Sequence, residues 1–136
     1  IVNLAEILRR EGKNDEASAL LSSALARIPD SGSLWFSQGL HLIRLGQTDK
    51  ALVSLKKAAE LEDQGSRHRY VYAIALNDTG SGLEAMSVLE SLNASLPGQP
   101  DVLNALLALA RDRGDRQRYE RYRSQLVALM QATGQR

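Results

Sequence analysis

Four glycines recur at a constant interval of 34 residues, and this period constrains the fold more than any other feature of the sequence. The glycines are Gly12, Gly46, Gly80 and Gly114. Small and aliphatic residues repeat around the first three of them at the same interval, namely Ala17, Ala51 and Ala85, then Leu21, Leu55 and Leu89. A period of this length is typical of proteins that stack one small structural unit several times.

Within each period the apolar residues have the spacing of one face of a helix. Trp35, Gly39 and Leu42 are separated by four and three residues, and the same spacing resumes after Gly46. Glycine is favoured just past the end of a helix, so each period predicts a helix, a tight turn and a second helix. The chain of 136 residues then holds four repeats: 1–31 (without its opening residues), 32–65, 66–99 and 100–133. The predicted fold is all-α, with about eight helices.

The pattern Trp35, Gly39, Leu42, Gly46, Ala51, Leu55, Ala58 resembles the tetratricopeptide repeat. The resemblance implies a single domain over residues 1–136, an α-solenoid of antiparallel helix hairpins in which Gly39 approaches Ala51 closely. Tyr119 and Arg123 replace the small and aliphatic residues of the last repeat, so helix 116–132 is predicted to be a polar cap. The opening residues show no such cap. We therefore expect the C-terminal part of a longer protein, with bacterial relatives.

Composition and motifs argue against several classes of function. The net charge is +1 and cysteine is absent, which excludes thiolate chemistry and disulfides here but leaves the compartment open. His41 and His68 have no ligand-spaced partners, so we expect no metal, no cofactor and no enzymatic activity. His41 is predicted to pack between repeats, and His68 to lie on an exposed first turn. No apolar run is long enough to insert in a membrane.

The resemblance also indicates where a partner would bind. The first helix of each tetratricopeptide repeat lines a concave groove, and the matching positions here predict a peptide-binding surface of Phe36, Leu40, Ile43, Arg44, Arg67, Tyr70, Ile74, Asn77 and Asn104. Its apolar residues would form an exposed floor, and a basic rim would come from Arg9, Arg10 and Arg111. The predicted function is a protein-interaction scaffold that binds a peptide or helix.

Two alternatives remain open at this point. The array could self-associate as a homo-oligomer, or tether or regulate another domain of a longer protein. The Arg-rich final helix could also bind nucleic acid through Arg116, Arg118, Arg121 and Arg123, because basic residues interleaved with tyrosines are typical of single-strand binding. The near-neutral net charge makes nucleic acid the weaker alternative.

Overall fold

The computed structural model describes residues 1–61 and 66–134, and within these ranges it contains helices and no strand. The all-α prediction is therefore confirmed. The helices are α1 (Val2–Arg10), α2 (Asn14–Arg27), α3 (Gly32–Arg44), α4 (Thr48–Leu61), α5 (Arg67–Asp78), α6 (Gly82–Ser95), α7 (Pro100–Asp112) and α8 (Arg116–Ala132). The predicted end of the second repeat, residue 65, lies outside the described residues.

The chain forms two compact units, an N-terminal unit of Ile1–Ala75 and a C-terminal unit of Leu76–Arg136. In the N-terminal unit, α1 packs on α2, α2 on α3, and α3 on α4. In the C-terminal unit, α6 packs on α7 and α7 on α8. Within each unit these consecutive helices are neighbours in space, as expected where short turns join antiparallel helices.

The periodic glycines all adopt the left-handed conformation that the sequence predicts for them. Gly46 has φ +77°, its N–H donates to the Ile43 carbonyl at 3.0 Å, and the next N–H, from Gln47, donates to the Leu42 carbonyl at 2.9 Å. This pair of bonds is the Schellman motif, which satisfies carbonyls that the end of a helix leaves unpaired. The same two bonds occur at each of the other three glycines.

Gly39 is the point of closest approach between α3 and α4. A Cβ atom built on it would lie 2.6 Å from Leu55 Cδ2 and 3.4 Å from the Ala51 carbonyl oxygen. Only a residue without a side chain fits at this distance, so the predicted close approach is confirmed, with Leu55 as the nearest neighbour. Leu55 and Ala58 are fully buried beside it.

Each compact unit has its own apolar core. In the N-terminal unit, one cluster joins α1, α2 and α3 through Ala5, Leu21, Ala24, Leu25 and Leu34, and Trp35 packs against its edge. In the C-terminal unit, the largest fully buried side chains are Leu89, Leu92, Val102, Leu103 and Leu106. No described helix combines the length and hydropathy needed to cross a membrane.

Helix α8 has the bounds and the polar character that the sequence predicts. It covers Arg116–Ala132, and Tyr122 is its one buried residue. Its first turn is capped by Asp115, whose side chain accepts a hydrogen bond from the Arg118 N–H at 3.0 Å. An aspartate in this position satisfies an N–H group that would otherwise be unpaired.

Candidate functional site

A cleft of about 270 Å³ opens on the N-terminal unit between α1 and α3. We call it the α1/α3 cleft. Four of the twelve residues that the sequence assigns to the groove and its rim line this cleft, namely Arg9, Phe36, Leu40 and Arg44. The full lining is Val2, Asn3, Ala5, Glu6, Arg9, Leu21, Phe36, Ser37, Leu40, His41 and Arg44.

The cleft is built from equivalent positions of two successive repeats. Val2 and Phe36 are 34 residues apart, as are Glu6 and Leu40. The repeat period therefore brings corresponding faces of α1 and α3 to the same opening. We call Glu6 and its arginines the charged wall of the cleft, and Phe36 and Leu40 its apolar wall.

Glu6 is the centre of the charged wall. Its carboxylate accepts hydrogen bonds from both Arg9 and Arg44, the latter at 3.3 Å. Arg10 Nε lies 3.6 Å from the same carboxylate. Three guanidinium groups thus share one carboxylate, so this wall carries an excess of positive charge.

The arginines also set the protonation of Glu6. The hydrogen bond from Arg9, with the nearby charges of Arg44 and Arg10, lowers the pKa of the Glu6 carboxyl to about 2, although partial desolvation opposes this shift. The same hydrogen bond raises the pKa of Arg9. Glu6 is therefore charged at any pH near neutral, and the cluster keeps its ion pairs there.

The apolar wall differs from the predicted exposed floor at Phe36. The Phe36 side chain is only 8% exposed, because its ring stacks on the His68 ring with centroids 4.5 Å apart. The Arg67 guanidinium lies 5.6 Å from the centroid of the same ring. Phe36 therefore joins α3 to the start of α5 and also lines the cleft.

The prediction that His68 lies on an exposed turn is wrong. His68 is in the first turn of α5 but is 2% exposed, because the turn faces α3 and the ring stacks on Phe36. Helix start signals show where a first turn begins. They do not show which side of that turn packs against a neighbouring helix.

His41 is buried, as predicted, and its ring nitrogen Nε2 lies 2.7 Å from Ser18 Oγ on α2. Burial lowers the pKa of His41, and the nearby charges of Arg44 and Arg9 lower it further. The ring also hydrogen-bonds the Asn14 backbone, whereas in Ser-His-acid sites a carboxylate orients the histidine. The His41 ring thus links α2 to α3 at the wall of the cleft.

The other predicted groove residues are distributed over both units. Leu40 is half-buried in the α1/α3 cleft, Ile43 is 38% exposed on the next turn, and Tyr70 and Ile74 are half-buried on α5. They follow Arg67 at helical spacing, so they share its face of α5. In the C-terminal unit, Asn77, Asn104 and Arg111 are exposed, and Arg111 pairs with Asp112 at 3.7 Å.

The four arginines considered for nucleic acid differ in their contacts. Arg118 donates to Glu90 at 3.1 Å and to Asp115 at 2.7 Å, and these bonds raise its pKa. Arg121 lies over the ring of Tyr122. Arg116 and Arg123 are exposed. Arg118 is thus already paired with acids of its own chain, which weakens the case for a phosphate-binding row.

Sequence reasoning missed the arginine cluster on Glu6, although a signal for it was present. Glu6, Arg9 and Arg10 have the spacing at which helical side chains meet, and Arg44 follows Arg10 by one repeat period. No comparable sequence signal marks the contacts of His68 or Ser18. Within the described residues, no three His, Asp or Glu side chains are placed to hold a metal ion.

Comparison with known proteins agrees with this architecture. Residues 2–66 match the model of the tetratricopeptide repeat family, whereas no curated protein matches the chain. A crystal structure of MamA superimposes with a TM-score of 0.82 at 14% identity, covering 98% of this chain and 78% of that chain.

Two further solved structures are similar. MamA from Desulfovibrio magneticus RS-1 has a TM-score of 0.74 at 19% identity, covering 93% of this chain and 72% of its own. YrrB, a tetratricopeptide repeat protein with an unusual peptide-binding site, has a TM-score of 0.73 at 21% identity, covering 92% of this chain and 64% of its own. At such identities the likeness establishes the fold, and the family match makes residues 2–66 a tetratricopeptide repeat region.

Proposed function

We propose that this chain is a non-catalytic protein-interaction scaffold that binds a peptide or a helix along the α1/α3 cleft. The apolar wall, Leu40 with Phe36, would contact apolar side chains of the partner. Arg10 and Arg44 would pair with its acidic side chains.

The observation that carries this proposal is the excess of guanidinium groups on Glu6 at the mouth of an apolar cleft. One carboxylate cannot neutralise three arginines, and Arg10 and Arg44 are more exposed than Arg9. An aromatic with arginine neighbours is also a common composition for the centre of a protein interface. The peptide-binding site named for YrrB supports a peptide as the class of ligand.

The surface is proposed to continue along α5 through Arg67, Tyr70 and Ile74. Arg67 contacts Phe36 directly, and Tyr70 and Ile74 lie on the same face of the helix. Asn77, Asn104 and Arg111, in the C-terminal unit, stay predictions of the sequence.

The experiment is a selection of short random peptides on the purified protein, followed by fluorescence anisotropy with the selected peptides. Leu40→Asp places a charge on the apolar wall, and we expect it to weaken binding about tenfold or more, as for a central interface residue. Val53→Asp is the matched control, because Val53 is 68% exposed on α4 and does not line the cleft. We expect Arg44→Glu to weaken the binding of acidic peptides. Its control is Arg27→Glu, at an exposed position of α2, which should leave that binding unchanged.

If the selected peptides bind Leu40→Asp and Arg44→Glu as tightly as the unaltered protein, the cleft is not the binding surface. If light scattering shows a dimer that Leu40→Asp dissociates, the cleft mediates self-association instead. Far-UV circular dichroism of each variant verifies that the helices remain folded.

A further inference from the structure

A second concave surface lies on the C-terminal unit between α6 and α8, with a volume of about 770 Å³. We call it the α6/α8 groove. Of its residues, the sequence assigns only Arg121 to a candidate site, for nucleic acid. The groove is lined by Glu90, Asn93, Ala94, Pro97, Gly98, Leu103, Arg121, Tyr122, Gln125, Ala128 and Leu129.

The groove changes character along its length. At one end the Tyr122 hydroxyl donates to Glu90. In the middle, Asn93 Nδ2 donates to Gln125 Oε1 at 2.9 Å. At the other end, a Cβ on Gly98 would lie 3.7 Å from Leu129 Cδ1. The three contacts join positions 31 or 32 residues apart, so α6 and α8 run side by side, and the groove passes from charged to amide to apolar.

The charged end contains two arginines that differ in their partners. Arg118 is shared by the carboxylates of Glu90 and Asp115. Arg121 contacts the ring of Tyr122 and hydrogen-bonds its side chain, but it forms no ion pair within 4 Å among residues 1–61 and 66–134. A ligand with a carboxylate at this end would give Arg121 a direct ion-pair partner.

The middle of the groove has an unmet hydrogen-bonding group. Asn93 is 9% exposed, and its Oδ1 accepts no hydrogen bond from any described residue. A buried acceptor without a donor is destabilising, and such groups are rare in folded proteins. Gln125, which covers Asn93, is exposed and can rotate aside, so the whole side-chain amide of Asn93 can become accessible.

We propose that the α6/α8 groove binds an extended peptide segment of about three residues, its main chain paired with the Asn93 amide, an acidic side chain at Arg121 and an apolar side chain on Leu129. A peptide unit offers both an N–H for Asn93 Oδ1 and a carbonyl for Nδ2. A helical ligand does not, because its main-chain groups are bonded within the helix.

The length of the segment follows from the geometry of the helix. Tyr122 and Leu129, at the two ends of the groove on α8, are seven residues apart, which corresponds to about 10 Å along a helix axis. Three residues of extended chain cover about the same distance. This surface is separate from the α1/α3 cleft, so the proposal does not depend on the function proposed above.

The test is titration of the ¹⁵N-labelled protein with capped tripeptides, followed by NMR. The probes are acetyl-Asp-Ala-Leu-amide, acetyl-Leu-Ala-Asp-amide, which covers the opposite chain direction, and acetyl-Lys-Ala-Leu-amide. We expect millimolar binding of one acidic peptide, with shifts of the Asn93 and Gln125 side-chain amide signals. We expect the lysine peptide to bind about threefold more weakly, since Arg121 is a surface charge.

Two pairs of variants decide the assignment. Asn93→Leu removes the hydrogen-bonding group, and we expect about fivefold weaker binding. Gln117→Leu, at an exposed position of α8 outside the groove, is its control and should change nothing. Arg121→Gln should abolish the preference for the acidic peptide. Its control is Arg123→Gln, because Arg123 is exposed and does not line the groove, and this variant should keep the preference.

The proposal is overturned if no peptide shifts the Asn93 and Gln125 side-chain signals, or if Asn93→Leu binds as tightly as the unaltered protein. If Asn93→Leu does not fold, the comparison of Arg121→Gln with Arg123→Gln decides alone. Equal binding of acidic and lysine peptides to the unaltered protein also overturns it.

Discussion

Glu6 and Glu90 are both carboxylates bound by arginine, yet their surroundings differ. Glu6 is on α1 and is shared by three arginines at an open cleft. Glu90 is on α6 and is shared by Arg118 and Tyr122, and Tyr122 is only 3% exposed.

The difference indicates what each acid contributes. At Glu90 one partner, Tyr122, is buried in the packing of α8, so this contact is part of the fold of the C-terminal unit. At Glu6 all three partners are arginines, and surface ion pairs of this kind add little stability. We therefore expect changes near Glu90 to affect unfolding, and changes at Glu6 to affect charge and binding.

The strongest test of this contrast is Tyr122→Ala. It removes the one buried side chain of α8, and truncation of a buried aromatic costs about 4 kcal/mol of unfolding free energy. Urea denaturation followed by circular dichroism measures the loss. Arg123→Ala on the same helix is the control, and a loss as small for Tyr122→Ala as for this control would refute the structural role.

In the N-terminal unit we expect stability to depend on the α3/α4 contact and not on Glu6. Gly39→Leu places a side chain where even a Cβ would lie 2.6 Å from Leu55, and such overpacking costs about 3 kcal/mol. Lys57→Leu, at an exposed position of α4, controls for the added leucine. If both variants have the same urea midpoint, helices α3 and α4 do not pack as described.

A smaller effect is expected when only the hydroxyl of the buried tyrosine is removed. Tyr122→Phe keeps the packing but deletes the hydrogen bond to Glu90, which should cost about 1 kcal/mol. The same urea experiment measures it, with Tyr119→Phe, at a half-buried position, as control. No change in the midpoint would show that Glu90 is held by Arg118 alone.

The smallest effect on stability, and the clearest on charge, is expected at Glu6. Its folded pKa of about 2 lies below the ordinary glutamate value of 4.5. The stability that it contributes is therefore fully present above pH 4.5 and is lost as the pH falls towards 2. NMR titration of the side-chain carboxyl carbon should give this low midpoint in the folded protein.

Arg44→Gln tests the cause of that low pKa. Because Arg44 is one of the groups that lower it, the Glu6 midpoint should rise in this variant, while the circular dichroism spectrum at pH 7 stays unchanged. An unshifted midpoint would mean that Arg44 does not reach Glu6 in solution.

The fold was predicted well because the same helix, turn and helix pattern recurs four times in the sequence. The glycine at each turn and the small residue at Gly39 are required by the backbone itself, so their positions can be recognised without a structure. Helix α8 was predicted with its bounds for the same reason: it follows the fourth glycine, and its tyrosines have helical spacing.

The site was predicted less completely, because side-chain contacts between repeats depend on which face of a helix packs. Phe36 was predicted to lie on an exposed apolar floor, but it is buried, because its ring stacks on His68. The contact between Ser18 and His41 joins residues 23 positions apart. Asn93 Oδ1 has no hydrogen-bond partner among the described residues, and this depends on how the Gln125 side chain lies against it. Neither follows from a periodic pattern.

The glycine turns also show where this chain can accommodate extra residues. Each Schellman turn contains two backbone hydrogen bonds around a single glycine. One residue added within a helix rotates all later side chains of that helix by about 100°. The segments between repeats differ, since Ile28, Pro29 and Asp30 are exposed between α2 and α3. A reporter or affinity tag is therefore better inserted after Pro29 than at Gly46, because at Pro29 the phase of every helix is preserved.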